Sequence, residues 1–189
     1  MALPHSAAVL IPLRSLQNGK LRLADAVDAE GRARLIQQMA DRVVLAAHDL
    51  DVLVVHDDEN VAHWANARGA TAIRPPTPGL DQAVTFGRDH LRDEGYDRVI
   101  VAHADLPLAN DLRQVLTPHA VSIVSDRHGD GTNVLCLDTT LDFRFAYGPG
   151  SFANHVRAAR ELGIEPHIVD APDLAWDVDH PDDLLPESP

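Results

Sequence analysis

Short apolar runs alternate with amphipathic segments along the 189-residue chain, and this alternation limits the possible folds more than any other feature. The runs at 7–12, 52–56 and 98–103 are aliphatic and β-branched, which predicts buried strands. Residues 30–48 and 80–94 carry apolar side chains three and four positions apart, which predicts helices with one buried face. Strands that alternate with helices indicate an α/β layer fold with a mostly parallel sheet.

The remaining elements continue the same pattern. Strands are predicted at 71–74, 121–124, 133–137 and 167–170, and helices at 59–68, 110–115 and 151–162. No repeat or long linker divides the chain, so we expect one domain over residues 1–189 with an acidic tail at about 180–189. Ligands of such sheets bind beyond the carboxyl ends of the strands, so we expect the chemistry in the loops after Pro12, His103 and Leu137.

The net charge of −13, from 16 Lys+Arg and 29 Asp+Glu, argues against a nucleic acid or an anionic membrane as partner. The bases concentrate near the start, where residues 1–48 carry six bases and four acids. The lone cysteine, Cys136, excludes an internal disulfide. Because the chain begins without a basic leader and has no apolar run of membrane length, we expect a cytoplasmic protein.

The loop after the first strand combines a glycine with the bases Arg14, Lys20 and Arg22. Backbone N–H groups and cations at this point of an α/β fold can hold a nucleotide triphosphate, although the spacing is not that of a Walker A motif. A solvated basic loop is the alternative interpretation. Lys20 is the only lysine of the chain, and this favours a function that needs a compact point charge.

Three aspartates are candidates for a divalent metal site. Asp105 follows the most apolar strand, and Asp177 and Asp179 stand two apart on a segment that is predicted to be extended, so both point to one side. A metal held there would bridge phosphates. Equally, Asp105 could cap the next turn and Asp179 could cap a helix beginning near Pro181.

Two glycine-containing segments, at 125–133 and 148–151, are candidates for an anion pocket. The second places backbone N–H groups and Ser151 at the start of a predicted helix, where the helix dipole favours a negative charge. A pair of ordinary turns would explain either segment alone.

The segments IPLRSLQNGKLRLA, HADLPLA, DRHGDGTN, FRFAYGPGSF and WDVDHPDDL resemble, in this order, the 2-phospholactate/phosphoenolpyruvate guanylyltransferases (CofC/FbiD family) of coenzyme F-420 biosynthesis. The resemblance covers about residues 9–184. It implies a single-domain nucleotidyltransferase fold, GT-A-like and Rossmann-like, with three layers and a mostly parallel mixed sheet of seven strands. It also implies Mg²⁺-dependent transfer of GMP from GTP to a small phosphorylated carboxylic acid, with release of pyrophosphate.

The resemblance implies roles for individual residues. Phosphoenolpyruvate would be held by Thr132, Gly148 and Ser151. Magnesium would be held by Asp105 and Asp177, with Asp179 close by. Lys20 and Arg22 would neutralise the triphosphate and, with Asp105, form the catalytic set, while Arg14 and Gly79 would complete the nucleotide site.

One position departs from the family pattern, which has Asn where this chain has Asp81 in Gly79-Leu80-Asp81. A carboxylate there could accept both donors of the guanine edge, so guanine recognition is our hypothesis for Asp81.

The substrate and the activity each leave a choice open. The acceptor can be phosphoenolpyruvate, which we favour, 2-phospho-L-lactate or 3-phosphoglycerate. The same motifs would also suit a non-catalytic nucleotide-binding relative or a transferase that acts on sugar phosphates. A downstream transferase that consumes the product is an implied partner.

Overall fold

The apolar runs form one seven-stranded sheet in the computed structural model, which describes residues 6–17 and 19–184. The strands are β1 (Ala7–Pro12), β2 (Asp51–Val55), β3 (Thr71–Ile73), β4 (Arg98–Ala102), β5 (Val121–Ser125), β6 (Thr132–Asp138) and β7 (His167–Ile168). Their order across the sheet is β3-β2-β1-β4-β6-β5-β7. Each lies within about two residues of its predicted position, because the apolar runs mark the buried strands directly.

The sheet is mostly parallel, as expected. Strand β1 pairs in parallel with β2 and β4, so that Val9 lies between Val52 and Ile100. Strands β2 and β3, and β5 and β7, also pair in parallel. Only β6 runs the other way, and it pairs antiparallel with both of its neighbours, β4 and β5.

The reversed direction of β6 corrects one expectation about the site. Because β6 is antiparallel to β4, its first residues lie at the carboxyl end of β4, and the His103 N–H donates to the Asn133 carbonyl at 3.0 Å. Its last residues lie at the opposite edge, where Asp138 pairs with Arg98. The loop after Leu137 therefore begins at the opposite edge and returns to Thr132 only at its far end, at Gly148, whereas the start of β6 lies directly at the carboxyl end of β4.

In the part of the chain that the structure describes, five α-helices cover the sheet: α1 (Ala29–Leu45), α2 (Glu59–Asn66), α3 (Leu80–Asp93), α4 (Ser151–Glu161) and α5 (Pro172–Ala175). Asp28 caps α1 and Asp58 caps α2 through side-chain oxygens that accept backbone N–H groups. Short 3-10 turns lie at Leu21–Leu23, Leu112–Val115 and Pro181–Asp183. None of the helices within the described residues has the length and apolarity needed to span a membrane.

Two apolar layers separate the helices from the sheet, so the fold has the three layers that were expected. On one face Val9 and Ile11 of β1 pack in a core with Val43 of α1 and Val61 of α2. On the other face Leu10 of β1 belongs to a core with the inner residues of α3 and α4. This alternation along β1 follows from the two-residue period of a strand, and it leaves the carboxyl edge of the parallel strands free for polar loops.

Candidate functional site

Lys20 projects from the loop after β1 into a group of aspartates. Its backbone is left-handed, with φ of 54°, which costs a residue other than glycine about 1–2 kcal/mol. Its ammonium donates hydrogen bonds to Asp105 and, at 2.7 Å, to Asp179 Oδ1. Only 14% of the Lys20 side chain and 21% of the Asp105 side chain are exposed. The only lysine thus bridges two of the three aspartates that the sequence indicated.

The opposite charges determine the protonation states of this pair. Burial alone would lower the pKa of Lys20, but the charges of Asp105 and Asp179 and their hydrogen bonds to the ammonium outweigh it and raise that pKa. Burial would raise the pKa of Asp105, but the Lys20 charge and the His103 imidazole lower it. Both groups are therefore charged near neutral pH.

Asp177 completes the group from the segment that follows α5. The Asn133 amide donates to the Leu174 carbonyl at 3.1 Å and reaches Asp177 Oδ1 at 3.5 Å, and the Val178 N–H donates to the Asp105 carbonyl at 3.2 Å. Burial and the nearby Asp105 charge raise the pKa of Asp177. A cation that binds here would stabilise the ionised form of Asp177, which burial and the Asp105 charge disfavour.

The donor set fits a divalent cation in one further respect. Asp105 Oδ1 is buried and has no hydrogen-bond partner, and His103 Nδ1 is 4.0 Å away. A buried carboxylate oxygen without a partner is costly, and carboxylate oxygens are ligands that Mg²⁺ prefers. Over residues 6–17 and 19–184, however, no three His, Cys, Asp or Glu side chains are already arranged as a metal site. Lys20 lies between Asp105 and Asp179 instead.

A cleft of about 760 Å³ opens beside Lys20 at the carboxyl ends of β1 and β4. Its walls include Arg14, Gly19, Lys20, His103 and Asp105. A second cavity of about 630 Å³ adjoins it along the proline-rich loop at 75–79. The two cavities share the wall formed by residues 12–14, Asp57 and Leu80. Their combined space is large enough for a nucleotide.

Of the three predicted bases, Arg14 and Lys20 line the first cavity, whereas Arg22 is among the lining residues of neither cavity. Arg14 is exposed and its Nε is 3.3 Å from Asp57, and Arg22 donates to Asp179 Oδ2 at 3.2 Å from an exposed position. Exposed ion pairs of this kind contribute little to stability, so both guanidinium groups can exchange a carboxylate for a phosphate at small cost.

Gly79 lines the second cavity, but Asp81 is not among the lining residues of either. Asp81 Oδ1 accepts the Tyr147 N–H at 2.8 Å and so ties the start of α3 to the segment before Gly148. Since Asp81 lies outside the lining of both cavities, its pairing with the guanine donors stays a prediction.

Thr132, Gly148 and Ser151 come together beside the aspartates. The Thr132 N–H donates to Ser151 Oγ at 2.9 Å, and the Ser151 N–H donates to the Gly148 carbonyl at 3.0 Å. Gly148 has φ of 110°, which only glycine adopts readily. Ser151 begins α4, so backbone N–H groups at the positive end of the helix dipole lie beside both hydroxyls.

The family was identified by comparison with known proteins. The model of the family described as "Guanylyl transferase CofC like" matches residues 7–187. The chain belongs to this guanylyltransferase family.

Two bacterial relatives support the assignment. The phosphoenolpyruvate guanylyltransferase of Rubrobacter xylanophilus is 34% identical over 188 residues, covering 95% of this chain and 92% of that protein. The one of Sphaerobacter thermophilus is 33% identical, covering 93% and 89%. A 2-phospho-L-lactate guanylyltransferase of a Methanocaldococcus species is 29% identical, covering 93% and 78%. The resemblance drawn from the motifs is confirmed.

Solved structures show the same fold at low sequence identity. A putative nucleotide-diphospho-sugar transferase from Desulfovibrio desulfuricans has a TM-score of 0.72 at 15% identity, covering 87% of this chain and 79% of that one. A nucleotidyl transferase from Methanothermobacter has a TM-score of 0.66 at 16% identity, covering 94% of each. The expected nucleotidyltransferase fold is therefore confirmed.

Two features of this guanylyltransferase family member escaped the sequence analysis. His155 is buried on α4 and contacts Thr132, and its position one turn after Ser151 on the same helix face was a signal that could have found it. Asp183 is buried, pairs with Arg127 and accepts the N–H groups of Asp179 and His180 at 2.8 and 2.7 Å.

The Asp183 contacts show that the acidic tail expected at about 180–189 is packed against the protein at its start. Burial would raise the pKa of Asp183, but the two backbone N–H groups and the Arg127 charge lower it. The Arg127 guanidinium also lies 4.2 Å from the centre of the Trp176 ring. Together these contacts hold the segment that carries Asp177 and Asp179 against the glycine-containing segment at 125–133. Residues 185–189 lie outside the described part of the chain.

Proposed function

We propose that residues 1–189 act as one guanylyltransferase domain, which transfers GMP from GTP to the phosphate of phosphoenolpyruvate in coenzyme F-420 biosynthesis. The products are enolpyruvyl-2-diphospho-5'-guanosine and pyrophosphate. The observation that carries the proposal is that the Lys20–aspartate group and the Thr132–Ser151 pair lie side by side at one edge of the sheet. The reaction requires a nucleotide triphosphate and a phosphorylated acid to be bound next to each other in the same arrangement.

The reaction needs no covalent intermediate on the protein. An oxygen of the acceptor phosphate attacks the α-phosphorus of GTP, a new P–O bond forms, and the bond to the leaving pyrophosphate breaks. Catalysis then depends on alignment and on neutralising negative charge. Lys20 and Arg14, which line the cleft, and Arg22, which pairs with Asp179, are the groups proposed to neutralise the triphosphate and pyrophosphate.

Magnesium is the metal we propose, held by Asp105 and Asp177 with Asp179 close by. The unpartnered Oδ1 of Asp105 and the raised pKa of Asp177 support this assignment. A bound divalent ion supplies positive charge to the phosphates that react. The protein's own contribution is to hold three carboxylates near one another and to balance them with Lys20 when the ion is absent.

The acceptor pocket is proposed at Thr132, Gly148 and Ser151. Its two hydroxyls lie at the positive end of the α4 dipole and can donate hydrogen bonds, which suits a phosphate and a carboxylate. The Methanocaldococcus relative makes 2-phospho-L-lactate the second candidate acceptor. The product is an activated diphosphate, so we also propose that a downstream transferase consumes it.

Pyrophosphate release tests the function. Purified protein is incubated with GTP, Mg²⁺ and, in turn, phosphoenolpyruvate, 2-phospho-L-lactate, 3-phosphoglycerate and a sugar phosphate. We expect release with phosphoenolpyruvate and a loss of at least about 100-fold in Asp105→Asn, because one of the charges that position the metal and Lys20 is removed. Asp142→Asn, at an exposed aspartate away from the site, is the matched control. GTP binding without release for any acceptor would mean a non-catalytic relative.

A separate measurement tests the guanine hypothesis for Asp81. Asp81→Asn restores the family's residue, and Asp81→Ala removes the acceptor. We expect the alanine variant to lose part of the preference for GTP over ATP, measured as the ratio of kcat/KM values. An unchanged ratio would show that Asp81 only supports the Tyr147 segment.

A further inference from the structure

His155 is a fully buried polar residue for which the proposed chemistry has so far given no role. It lies on α4, one turn after Ser151, and its ring packs against Tyr147 at 4.7 Å and Phe143 at 5.8 Å between ring centres. Its two nitrogens have different partners. Nε2 is 3.0 Å from the Ala146 N, and Nδ1 is 3.0 Å from Thr132 Oγ1.

The direction of both hydrogen bonds follows from one of them. A backbone N–H can only donate, so His155 Nε2 must accept from Ala146 and carries no proton. A neutral imidazole then has its proton on Nδ1, which donates to Thr132 Oγ1. Burial lowers the pKa of His155 to about 4, so the ring is neutral at the pH of the reaction.

The hydroxyl proton of Thr132 is left without an internal acceptor. The oxygen accepts from His155, and within the described residues no group accepts its O–H. Ser151 is in the same situation, because its Oγ accepts the Thr132 N–H at 2.9 Å and its own proton has no acceptor there. Both hydroxyls are therefore arranged as donors, and a phosphate or carboxylate oxygen is an acceptor.

We propose that His155 is a positioning residue that orients the Thr132 hydroxyl to donate to the acceptor acid. This rests on the proposed function, in which Thr132 contacts that acid. His155 does not touch the substrate itself. A rotatable hydroxyl without such a partner would spread over several orientations, and the binding of the acid would lose part of its hydrogen-bond energy.

The alternative is a structural role, in which His155 only holds the segment at Ala146. The two roles separate because the ring nitrogens have separate partners. In His155→Asn the side-chain amide can replace the Nδ1 donor to Thr132 but does not reach the Ala146 N–H. In His155→Leu both contacts are lost.

Steady-state kinetics with phosphoenolpyruvate and GTP tests the proposal. We expect His155→Leu to raise the KM for phosphoenolpyruvate about tenfold, the effect of one hydrogen bond to a charged group, with the KM for GTP within about twofold. His155→Asn should restore most of that loss. In a Thr132→Val background His155→Leu should add almost nothing, because its effect passes through the missing hydroxyl.

Three results would overturn the proposal: additive effects of the two substitutions, equal changes in both KM values, or no rescue by asparagine. The ¹⁵N chemical shifts of His155 in the wild-type protein give a test that does not depend on a variant folding. They should report the tautomer with the proton on Nδ1, and a proton on Nε2 would refute the argument. Wild-type protein without turnover on any acid would refute the proposed function instead, whatever the tautomer.

Discussion

His155 makes a specific prediction about stability at acidic pH. Burial, with a smaller contribution from the His103 charge, lowers its pKa to about 4 from the ordinary value of 6.5. In the unfolded chain the ring takes up a proton as the pH falls through about 6.5, but in the folded protein it stays neutral until about pH 4. Unfolding is then accompanied by proton uptake, so the free energy of unfolding decreases as the pH is lowered from about 6.5 to about 4. Above about pH 6.5 it does not depend on the protonation of His155.

The size of the effect follows from the difference between the two pKa values. About 2.5 pKa units at about 1.36 kcal/mol each give a maximum near 3 kcal/mol. The loss should reach about 1 kcal/mol at pH ~5.5 and about 2–3 kcal/mol at pH ~4.5. A domain of this size has a total stability of about 5–15 kcal/mol, so the effect is a large share of it. The raised pKa of Asp177 acts in the opposite direction, because the folded protein holds that proton more tightly.

Urea denaturation at a series of pH values measures this dependence, with circular dichroism as the signal. His155→Asn is the perturbation, because asparagine does not titrate, and His63→Asn at an exposed position is the matched control. We expect the difference in unfolding free energy between wild type and His155→Asn to shrink by about 2–3 kcal/mol from pH ~7 to ~4.5. The contribution of Asp177 cancels in this difference. Parallel curves for the two proteins would refute the assignment of a neutral, buried imidazole.

Three further substitutions have defined outcomes. Asp183→Asn should lower the free energy of unfolding by about 2 kcal/mol or more in urea denaturation, because the partly buried Arg127 loses its charged partner; an unchanged midpoint would refute this. Gly87→Ala places a Cβ 2.5 Å from Leu10 Cδ1. The free energy of unfolding should therefore fall by about 1 kcal/mol even after the gain in helix propensity. A more stable variant would contradict that packing. Lys20→Met removes the cation that competes for the carboxylates. Mn²⁺ titration without nucleotide should show about tenfold tighter binding while turnover falls at least about 100-fold, and weaker binding would contradict the competition.

The strands and helices could be predicted because their signal is local. Strand β1 lies at its predicted residues, and α1 and α3 end within about three residues of their predicted ends. Strand β6 was located, but not its direction, because direction depends on pairing with β4 across more than 30 residues of chain rather than on its own apolar pattern. The motifs indicated Thr132 at the start of β6, but the strand pattern alone placed the expected chemistry after its last residues.

The site was predictable in its charges but not in its contacts. Lys20 and Asp105 stood out by rarity and by position after a strand, and the structure joins them in an ion pair. The sequence did not distinguish Asp183 from the other acids of the tail, because its burial depends on Arg127, 56 residues earlier. The Asp81 contact with Tyr147 is equally non-local, at a separation of 66 residues.

The ion pair also explains how a chain of net charge −13 can bind two polyanions. Lys20 donates to one oxygen of Asp105 and to one oxygen of Asp179. A small ammonium with three donors can bridge two carboxylates in this way, whereas a planar guanidinium favours both oxygens of a single carboxylate. On the proposed function, Asp105 and Asp177, with Asp179 close by, would hold a divalent ion that supplies positive charge to the phosphates, and the Lys20 ammonium could then donate to a phosphate oxygen. The same positive charge then balances the aspartates in the empty site and the nucleotide in the filled one. Local charge at the cleft therefore matters more for binding than the net charge, and a lysine meets this requirement better than any of the fifteen arginines would.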